Sequence, residues 1–309
     1  MNVIRASVLG YCAGVRRAVD IALREAAARQ KVYTAGPLIH NPAVLETLKV
    51  RGVEILEEDV DAPCAARGAV VIIRAHGVTP QSEARLRDRG FRIADASCPK
   101  VKRSQTLAQE LSESGRRVFL AGEKRHAEIA GIQGYAPGGI VVESARDALE
   151  SARILFAEDP AAETAVIAQT TLSVEDYAAI CDALQMVFPR ITIYDTICSA
   201  TRERQNALRT LCEKADAIII AGGRNSANTR RLVAVARAAH TVSGEATNGA
   251  AVAGKPVVLV ENAREIPEAF VTGTYNTIGI SAGASTPDEV IDEIERALLS
   301  SGGALKGQP

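Results

Sequence analysis

The sequence predicts an α/β protein with mostly parallel sheets, organised as three small α/β domains. Short β-branched runs alternate with longer helical patterns along the chain, the sequence form of repeated βα units. Gly, Pro and Ser cluster where strand passes to helix. A unit of short strand, cysteine and basic helix start recurs three times. The 309 residues exceed one small core and leave room for two or three domains.

Taken in order, VIRASVL (3–9) leads into a helical pattern over 15–30, where apolar residues return at helical spacing. KVYTA (31–35) precedes NPAVLETLKVRG, and AVVIIRA (69–75) precedes TPQSEARLRDRG. FRIADAS (91–97) leads into a helix from about Lys100 to Glu113. RRVFLAG (116–122), GIVVES (139–144) and AVIAQ (165–169) continue the pattern. A last group holds ITIYDT (191–196), AIIIAGG (217–223), KPVVLVE (255–261) and TIGISAG (277–283), each followed by a helical stretch. The loops after these strands lie at the carboxyl ends of parallel sheets, where open α/β folds bind ligands.

Composition narrows the function. Apolar residues make up 47% and charged residues 24%, the mix of a soluble globular chain. Lys plus Arg (36) nearly cancel Asp plus Glu (37), so no global field selects nucleic acid or a charged partner. Aromatics at 4%, with no Trp, disfavour base-stacking platforms. The opening MNVIRASVLGYCAG carries Arg5 and no long apolar run, so it does not read as a signal peptide. The apolar runs are strand-sized, far below the ~20 residues of a membrane span. The expected compartment is the reducing cytoplasm, where disulfides are disfavoured.

Six cysteines stand at 12, 64, 98, 181, 198 and 212, without a CxxC pair or a clustered zinc spacing. Cys12 lies in VLGYCAGVRRAVDIA, Cys98 in IADASCPKVKRSQTLAQEL and Cys198 in IYDTICSATRERQNALRTL. Each follows a strand and opens a basic helix, roughly one small domain from the next. Helix dipoles favour thiolates at such starts. Three domains around a common axis would bring three thiols to one point, and three thiolates suit an iron–sulfur cluster with one open iron. Separate buried cysteines are the alternative at this stage. Cys181 and Cys212 sit inside amphipathic patterns and Cys64 in a Pro/Ala-rich loop, so these three read as packing or surface residues.

His40 (LIHN), His76 (RAHGV) and His126 (KRHAEI) each follow a strand and precede a helical pattern, whereas His240 closes a helix as a dipole partner. GGRNSAN (222–228) and SAGAST (281–286) offer hydroxyl, amide and backbone N–H donors that suit a phosphate. AQTTLS (168–173) adds two hydroxyls at another strand end. Glu128, two residues from His126, is a candidate proton donor, against the plain reading of a solvated loop carboxylate.

Together GYCAGVRRAV, IHN, AHGV, DASCPKV, HAEIAG, QTTLS, CSATRERQ, RNSANTRRL and SAGASTPD resemble the 4-hydroxy-3-methylbut-2-enyl diphosphate reductases, the LytB/IspH family, over nearly the whole chain. The resemblance implies a pseudo-threefold trefoil of three α/β domains, 13–97, 98–196 and 1–12 plus 197–309, around a central cluster. That cluster would be one [4Fe–4S] per subunit, held by Cys12, Cys98 and Cys198, with one iron open to the substrate hydroxyl. The implied reaction removes that hydroxyl with two electrons and two protons, giving isopentenyl and dimethylallyl diphosphates, with ferredoxin or flavodoxin as donor.

Position by position, the resemblance gives the diphosphate to His40, His76, Ser226, Asn228 and Ser285, helped by His126 and the Ala227 N–H. The implied catalytic residues are Glu128, Thr170 and His126: Thr170 would support the substrate hydroxyl and Glu128 would deliver protons through it. Two positions depart from the family pattern. Asn225-Ser226-Ala227-Asn228 stands where the loop usually reads N-S-S-N, and His126-Ala127-Glu128 where it reads HPE. The stretch 238–254 is long and rich in small residues, a surface excursion with no assigned function. A three-Cys enzyme of quinolinate synthase type and a non-catalytic phosphate-ligand binder are the competing readings. The Ser/Asn loop and HAE argue against the first.

Overall fold

A computed structural model describes residues 1–28, 30–56, 68–242 and 255–304. Cys64, residues 243–254 and the side chain of His240 lie outside the described residues. Among the described residues the strands form three four-stranded parallel sheets.

In chain order the elements are β1 (Asn2–Arg5), α1 (Ala13–Ala27), β2 (Val32–Ala35), α2 (Pro42–Val50), β3 (Val53–Leu56), β4 (Val70–Ile73), α3 (Pro80–Asp88) and β5 (Arg92–Asp95). Next come α4 (Pro99–Glu113), β6 (Arg117–Ala121), α5 (Ala127–Gln133), β7 (Ile140–Val142), α6 (Ala145–Glu158), β8 (Thr164–Ala168), α7 (Val174–Gln185) and β9 (Thr192–Tyr194). The chain continues through α8 (Ser199–Lys214), β10 (Ala217–Ala221), α9 (Ala227–Val242) and β11 (Val257–Val260). A 3-10 turn at Ala263–Glu265 is followed by α10 (Glu268–Val271), β12 (Thr277–Ala282) and α11 (Asp288–Ala304). The strand orders are β3-β2-β4-β5, β7-β6-β8-β9 and β1-β12-β10-β11.

The chain forms two compact units. One comprises Met1–Cys12, His40–Val44 and Ser199–Pro309, and holds the sheet of β1, β12, β10 and β11. The other comprises Ala13–Ile39 and Leu45–Cys198, and holds the remaining two sheets.

Period-two alternation explains why each sheet is covered on both faces. On β6 and β8, Phe119, Ala121, Val166 and Ala168 point to one side and pack on Ala148, Ala152 and Leu155 of α6 and Ile180 and Leu184 of α7. The intervening Val118, Leu120, Ala165 and Ile167 pack on Ala108 and Leu111 of α4 and Ile129 and Ile132 of α5. In the other unit, Ile219, Ile278 and Ile280 meet Ile291, Ile294 and Leu298 of α11, while Ile218 and Ile220 meet Leu208 and Leu211 of α8 and Leu232 of α9. Truncating one such buried Leu to Ala costs about 2–5 kcal/mol.

The helix starts are written in the sequence. Thr79, Ser144 and Ser173 accept from the N–H groups of Ser82, Asp147 and Asp176, capping α3, α6 and α7. Two elements differ from the sequence pattern. β3 is an edge strand with Glu54 and Ile55 exposed, too little buried to print an alternating signal. The connection after β11 holds only the 3-10 turn and the four-residue α10, not a full crossover helix, because Pro267 interrupts it.

Candidate active site

Every candidate residue sits in a loop or first helical turn at the carboxyl end of a parallel strand. His40 follows β2, His76 follows β4, His126 follows β6 and Thr170 follows β8. Ser226, Ala227 and Asn228 follow β10, and Ser285 follows β12.

In the unit of Ala13–Ile39 and Leu45–Cys198, Glu128 is in the first turn of α5 and only 1% exposed, so the solvated-loop reading does not hold. Its Oε1 accepts the Thr170 N–H at 2.7 Å and its Oε2 accepts the Thr170 hydroxyl at 2.9 Å. Burial raises its pKa to about 7 against the opposing pull of these two bonds. The Glu128 N–H donates to His126 Nδ1 at 3.1 Å, so His126 caps α5 and its ring proton resides on Nε2. The His76 and His126 rings meet edge to face, centroids 5.2 Å apart. Gly77 makes the turn after His76 with φ at +72°, and a Cβ there would collide with the Gln105 amide.

In the other unit, Ser226 accepts from the Thr229 N–H at 3.3 Å as α9 begins, and Ser285 Oγ donates to the His40 carbonyl at 3.3 Å. A Cβ on Gly223 would strike that same carbonyl, so the glycine lets the phosphate-type loop lie against the His40 backbone. Asn228 Nδ2, Thr229 Oγ1 and Ser281 Oγ are buried with no hydrogen-bond partner among the described residues. The orphaned Asn228 amide in the first turn of α9 calls for an explanation, and a polar ligand supplies one. The first N–H groups of α9 also lack intrahelical partners and favour an anion.

Cys12, Cys98 and Cys198 each stand directly before a helix, α1, α4 and α8 respectively, and are half-buried. Cys98 occupies the N-cap of α4 without making a capping bond, a position where Ser or Thr is usual. The Cys198 N–H donates to the Thr170 carbonyl at 3.0 Å, and the Cys12 N–H to the Ala284 carbonyl at 3.2 Å. Cys181 and Cys212 lie mid-helix in apolar cores, and burial pushes both thiols up to about 11. They are packing residues, as their positions in the sequence imply.

Sequence reasoning passed over two polar residues. Gln169 accepts the Glu123 N–H at 2.9 Å and donates to Thr171 Oγ1 at 3.0 Å, tying the loop that carries His126 to the loop that carries Thr170. Arg204, 2% exposed, donates to the carbonyls of Ala282 at 3.0 Å and Gly10 at 2.9 Å. The signal for Arg204 was its helical spacing from Thr201, Leu208 and Leu211, which puts a charge on the buried face of α8.

The chain is similar to known proteins over nearly its whole length. The chain is 42% identical over 311 residues to the 4-hydroxy-3-methylbut-2-enyl diphosphate reductase of Treponema denticola, covering 97% of this chain and 99% of that protein. It is 38% identical over 312 residues to the reductase of the same name from Solidesulfovibrio magneticus, covering 97% and 100%. The fold matches the E-1-hydroxy-2-methyl-but-2-enyl-4-diphosphate reductase of Plasmodium falciparum with a TM-score of 0.82 at 25% identity, covering 96% of this chain and 87% of that one. A solved (E)-4-hydroxy-3-methyl-but-2-enyl diphosphate reductase, described as the terminal enzyme of the non-mevalonate pathway, matches with a TM-score of 0.66 at 33% identity over 97% of this chain and all of that one. The LytB protein model matches residues 3–299, and the chain that places Glu128, Thr170 and its helix-opening cysteines in this way belongs to the LytB protein family.

Proposed function

We propose that this protein reduces (E)-4-hydroxy-3-methylbut-2-enyl diphosphate to isopentenyl and dimethylallyl diphosphates, the last step of the non-mevalonate route. One observation carries the chemistry: a buried carboxyl, Glu128, whose pKa lies near 7 and whose oxygens both bond Thr170. Each turnover consumes two electrons and two protons, breaks the C–O bond and releases water. The near-complete match to LytB relatives sets aside the quinolinate synthase alternative.

The donor set fits the iron–sulfur cofactor that the family implies. Cys12, Cys98 and Cys198 are half-buried thiols at helix starts, where thiolates are favoured, whereas burial disfavours ionisation of Cys181 and Cys212. Those three would hold a [4Fe–4S] cluster, one per subunit, leaving one iron without a cysteine. When bound, it supplies the electrons and a Lewis-acid position for the leaving hydroxyl.

The chain's own residues supply the rest. Glu128 holds a proton near neutral pH and passes it through the Thr170 hydroxyl toward the substrate oxygen, assistance worth ~10²–10⁴-fold. Ser226, Asn228 and Ser285, the Ala227 N–H and the imidazoles of His40, His76 and His126 bind the diphosphate. None of these is Lys or Arg, so neutral donors and helix starts carry its charge. The absence of a Ser hydroxyl at Ala227 weakens this grip without removing the backbone donor. Each of the segments 13–97, 98–196 and 1–12 plus 197–309 contains one complete sheet, which supports a three-domain organisation; Cys98 opens the second segment, while Cys12 and Cys198 both fall in the third. Ferredoxin or flavodoxin in the cytoplasm is the proposed electron source. Among the described residues no helix is long and apolar enough to cross a membrane.

The test is an anaerobic assay of iron- and sulfide-reconstituted protein with authentic substrate and a reduced viologen dye. Brown protein with about four irons that oxidises the dye and forms both products is expected. Iron-loaded, folded protein that leaves the substrate intact would overturn the reading, as would full activity in metal-free protein.

A further inference from the structure

Two of the loops that carry helix-opening cysteines are held by an arginine from a helix that opens after a different cysteine. Arg17 of α1 donates to the carbonyls of Ser97 at 3.0 Å and Asp95 at 3.1 Å, just ahead of Cys98. Arg204 of α8 donates to the carbonyls of Gly10, just ahead of Cys12, and of Ala282, just ahead of Ser285. The Cys12 N–H closes this arrangement by donating to the Ala284 carbonyl. The two arginines differ in one respect. Arg17 is exposed, so tying such a loop does not require a buried charge. Arg204 is buried, its partners are neutral carbonyls, and its Nε has no hydrogen-bond partner among the described residues.

An arginine keeps its charge in a protein, and a buried cation bonded only to neutral groups is unfavourable unless an anion lies close. Arg204 reaches the Cys12 loop through the Gly10 carbonyl, two residues from Cys12. A negatively charged group held through Cys12 would be the counter-charge that such a buried arginine needs.

We infer that Arg204 is a positioning residue that fixes the Cys12 loop to the Ser285 loop and, as a buried cation, favours the reduced form of the iron–sulfur group held at Cys12. The inference rests on the reductase reading and on Cys12 as a ligand. A fixed positive charge stabilises the more negative, reduced state and so raises the reduction potential. The effect is large only where water is excluded, which separates Arg204 from Arg17.

The experiment compares parent, Arg204→Met, Arg204→Lys, Arg17→Met and Cys12→Ser, all reconstituted anaerobically. Iron content, the rate of iron loss to a chelator and the midpoint potential from a spectroscopic redox titration are the readouts. In Arg204→Met, iron loss should be about tenfold faster or more, as for other residues that orient ligands. Its reduced-to-oxidised ratio at the parent's midpoint should fall about tenfold, a shift of about 59 mV for a one-electron couple. Arg204→Lys, which keeps the charge but not the two-armed fork, should recover most of the potential while iron loss stays faster. Arg17→Met should keep the parent's potential. Should Arg204→Met fail to fold, the Lys variant alone decides: a parent-like rate of iron loss overturns the positioning role. An unshifted potential in Arg204→Met, or an equal shift in Arg17→Met, overturns the charge role. Cys12→Ser separates this failure from that of the underlying reading: iron retained there removes both, while iron lost there leaves the reductase reading standing.

Discussion

Glu128 holds Thr170 with both carboxylate oxygens, one on the backbone N–H and one on the hydroxyl, while the Thr170 carbonyl accepts the N–H of Cys198. One residue thus joins the buried acid to a cysteine that opens α8. The hydroxyl donates while Glu128 is ionised and can accept once Glu128 is protonated, which is the property a proton relay needs.

Replacing Glu128 with Gln keeps the size and the acceptor for the Thr170 N–H but removes the transferable proton. Single-turnover consumption of substrate by pre-reduced enzyme should fall ~10²–10⁴-fold while the brown colour and substrate binding persist. Glu128→Asp should recover part of the rate, because the shorter side chain falls about one bond short of the Thr170 hydroxyl. A Glu128→Gln enzyme running within about threefold of the parent would pass the proton's source to water or to the diphosphate.

The same carboxyl makes stability depend on pH. Its pKa is raised from 4.5 to about 7 in the folded protein, so its contribution is fully present below 4.5 and is lost as pH rises through about 7. At ~1.4 kcal/mol per unit, the metal-free parent should lose on the order of 3 kcal/mol relative to Glu128→Gln across that window. Denaturant midpoints of the two proteins at pH 4.5, 6 and 8 measure it. Parallel curves would mean that Glu128 is ionised without penalty.

Serine at Cys12, Cys98 or Cys198 should strip iron or greatly weaken its retention. Serine at Cys181 or Cys212 should leave iron near normal and instead lower stability by about 1–3 kcal/mol, because a hydroxyl enters an apolar core. Iron analysis beside thermal melting separates the two groups. Loss of the cluster in Cys212→Ser with retention in Cys98→Ser would undo the assignment.

The fold was legible because buried parallel strands print continuous β-branched runs, as in AIIIA at β10 and VVII at β4. β3 was not, since an edge strand with exposed Glu54 and Ile55 lacks that signature. The site loops were legible from His, Ser and Asn placed after strands, but their partners were not. Whether Glu128 is solvated or sealed against Thr170 depends on a contact between residues 42 positions apart, which no local pattern encodes. The spacing of Arg204 from Leu208 and Leu211 places it on the buried face of α8, but its partners, the carbonyls of Gly10 and Ala282, lie far away in sequence and are not encoded there.

Asn228 offers a test in which stability and binding move differently. Its Nδ2 is buried without a hydrogen-bond partner among the described residues, so the free protein gains little from it. Asn228→Ala should leave the melting of ligand-free protein within about 1 kcal/mol of the parent. It should weaken diphosphate substrate and product alike by roughly ten- to a hundredfold, the ~1.5–3 kcal/mol of a bond to a charged group. Ala227→Ser, which restores the family's usual hydroxyl, should be neutral or slightly favourable. Unchanged affinity in Asn228→Ala would move the phosphate site elsewhere.

His126 performs two tasks with two nitrogens, and they can be separated. Nδ1 accepts the Glu128 N–H at 3.1 Å and caps α5, which leaves Nε2 as the donor in the neutral ring. Long-range proton–nitrogen correlation spectra of the imidazole should therefore report the Nε2–H form. Asn is a good N-cap whose Oδ1 replaces Nδ1, so His126→Asn should hold α5 and keep Glu128 against Thr170. It cannot replace the Nε2 donor at the same reach. The variant should keep the parent's stability and single-turnover rate at saturating substrate while KM rises about tenfold, the loss of one hydrogen bond to a charged group. Ala at the same position removes both functions, so it should also lose about 1 kcal/mol of stability with the cap and slow the chemical step as Glu128 loosens. A drop in the saturated rate of His126→Asn equal to that of His126→Ala would place the imidazole in the proton path itself rather than beside it.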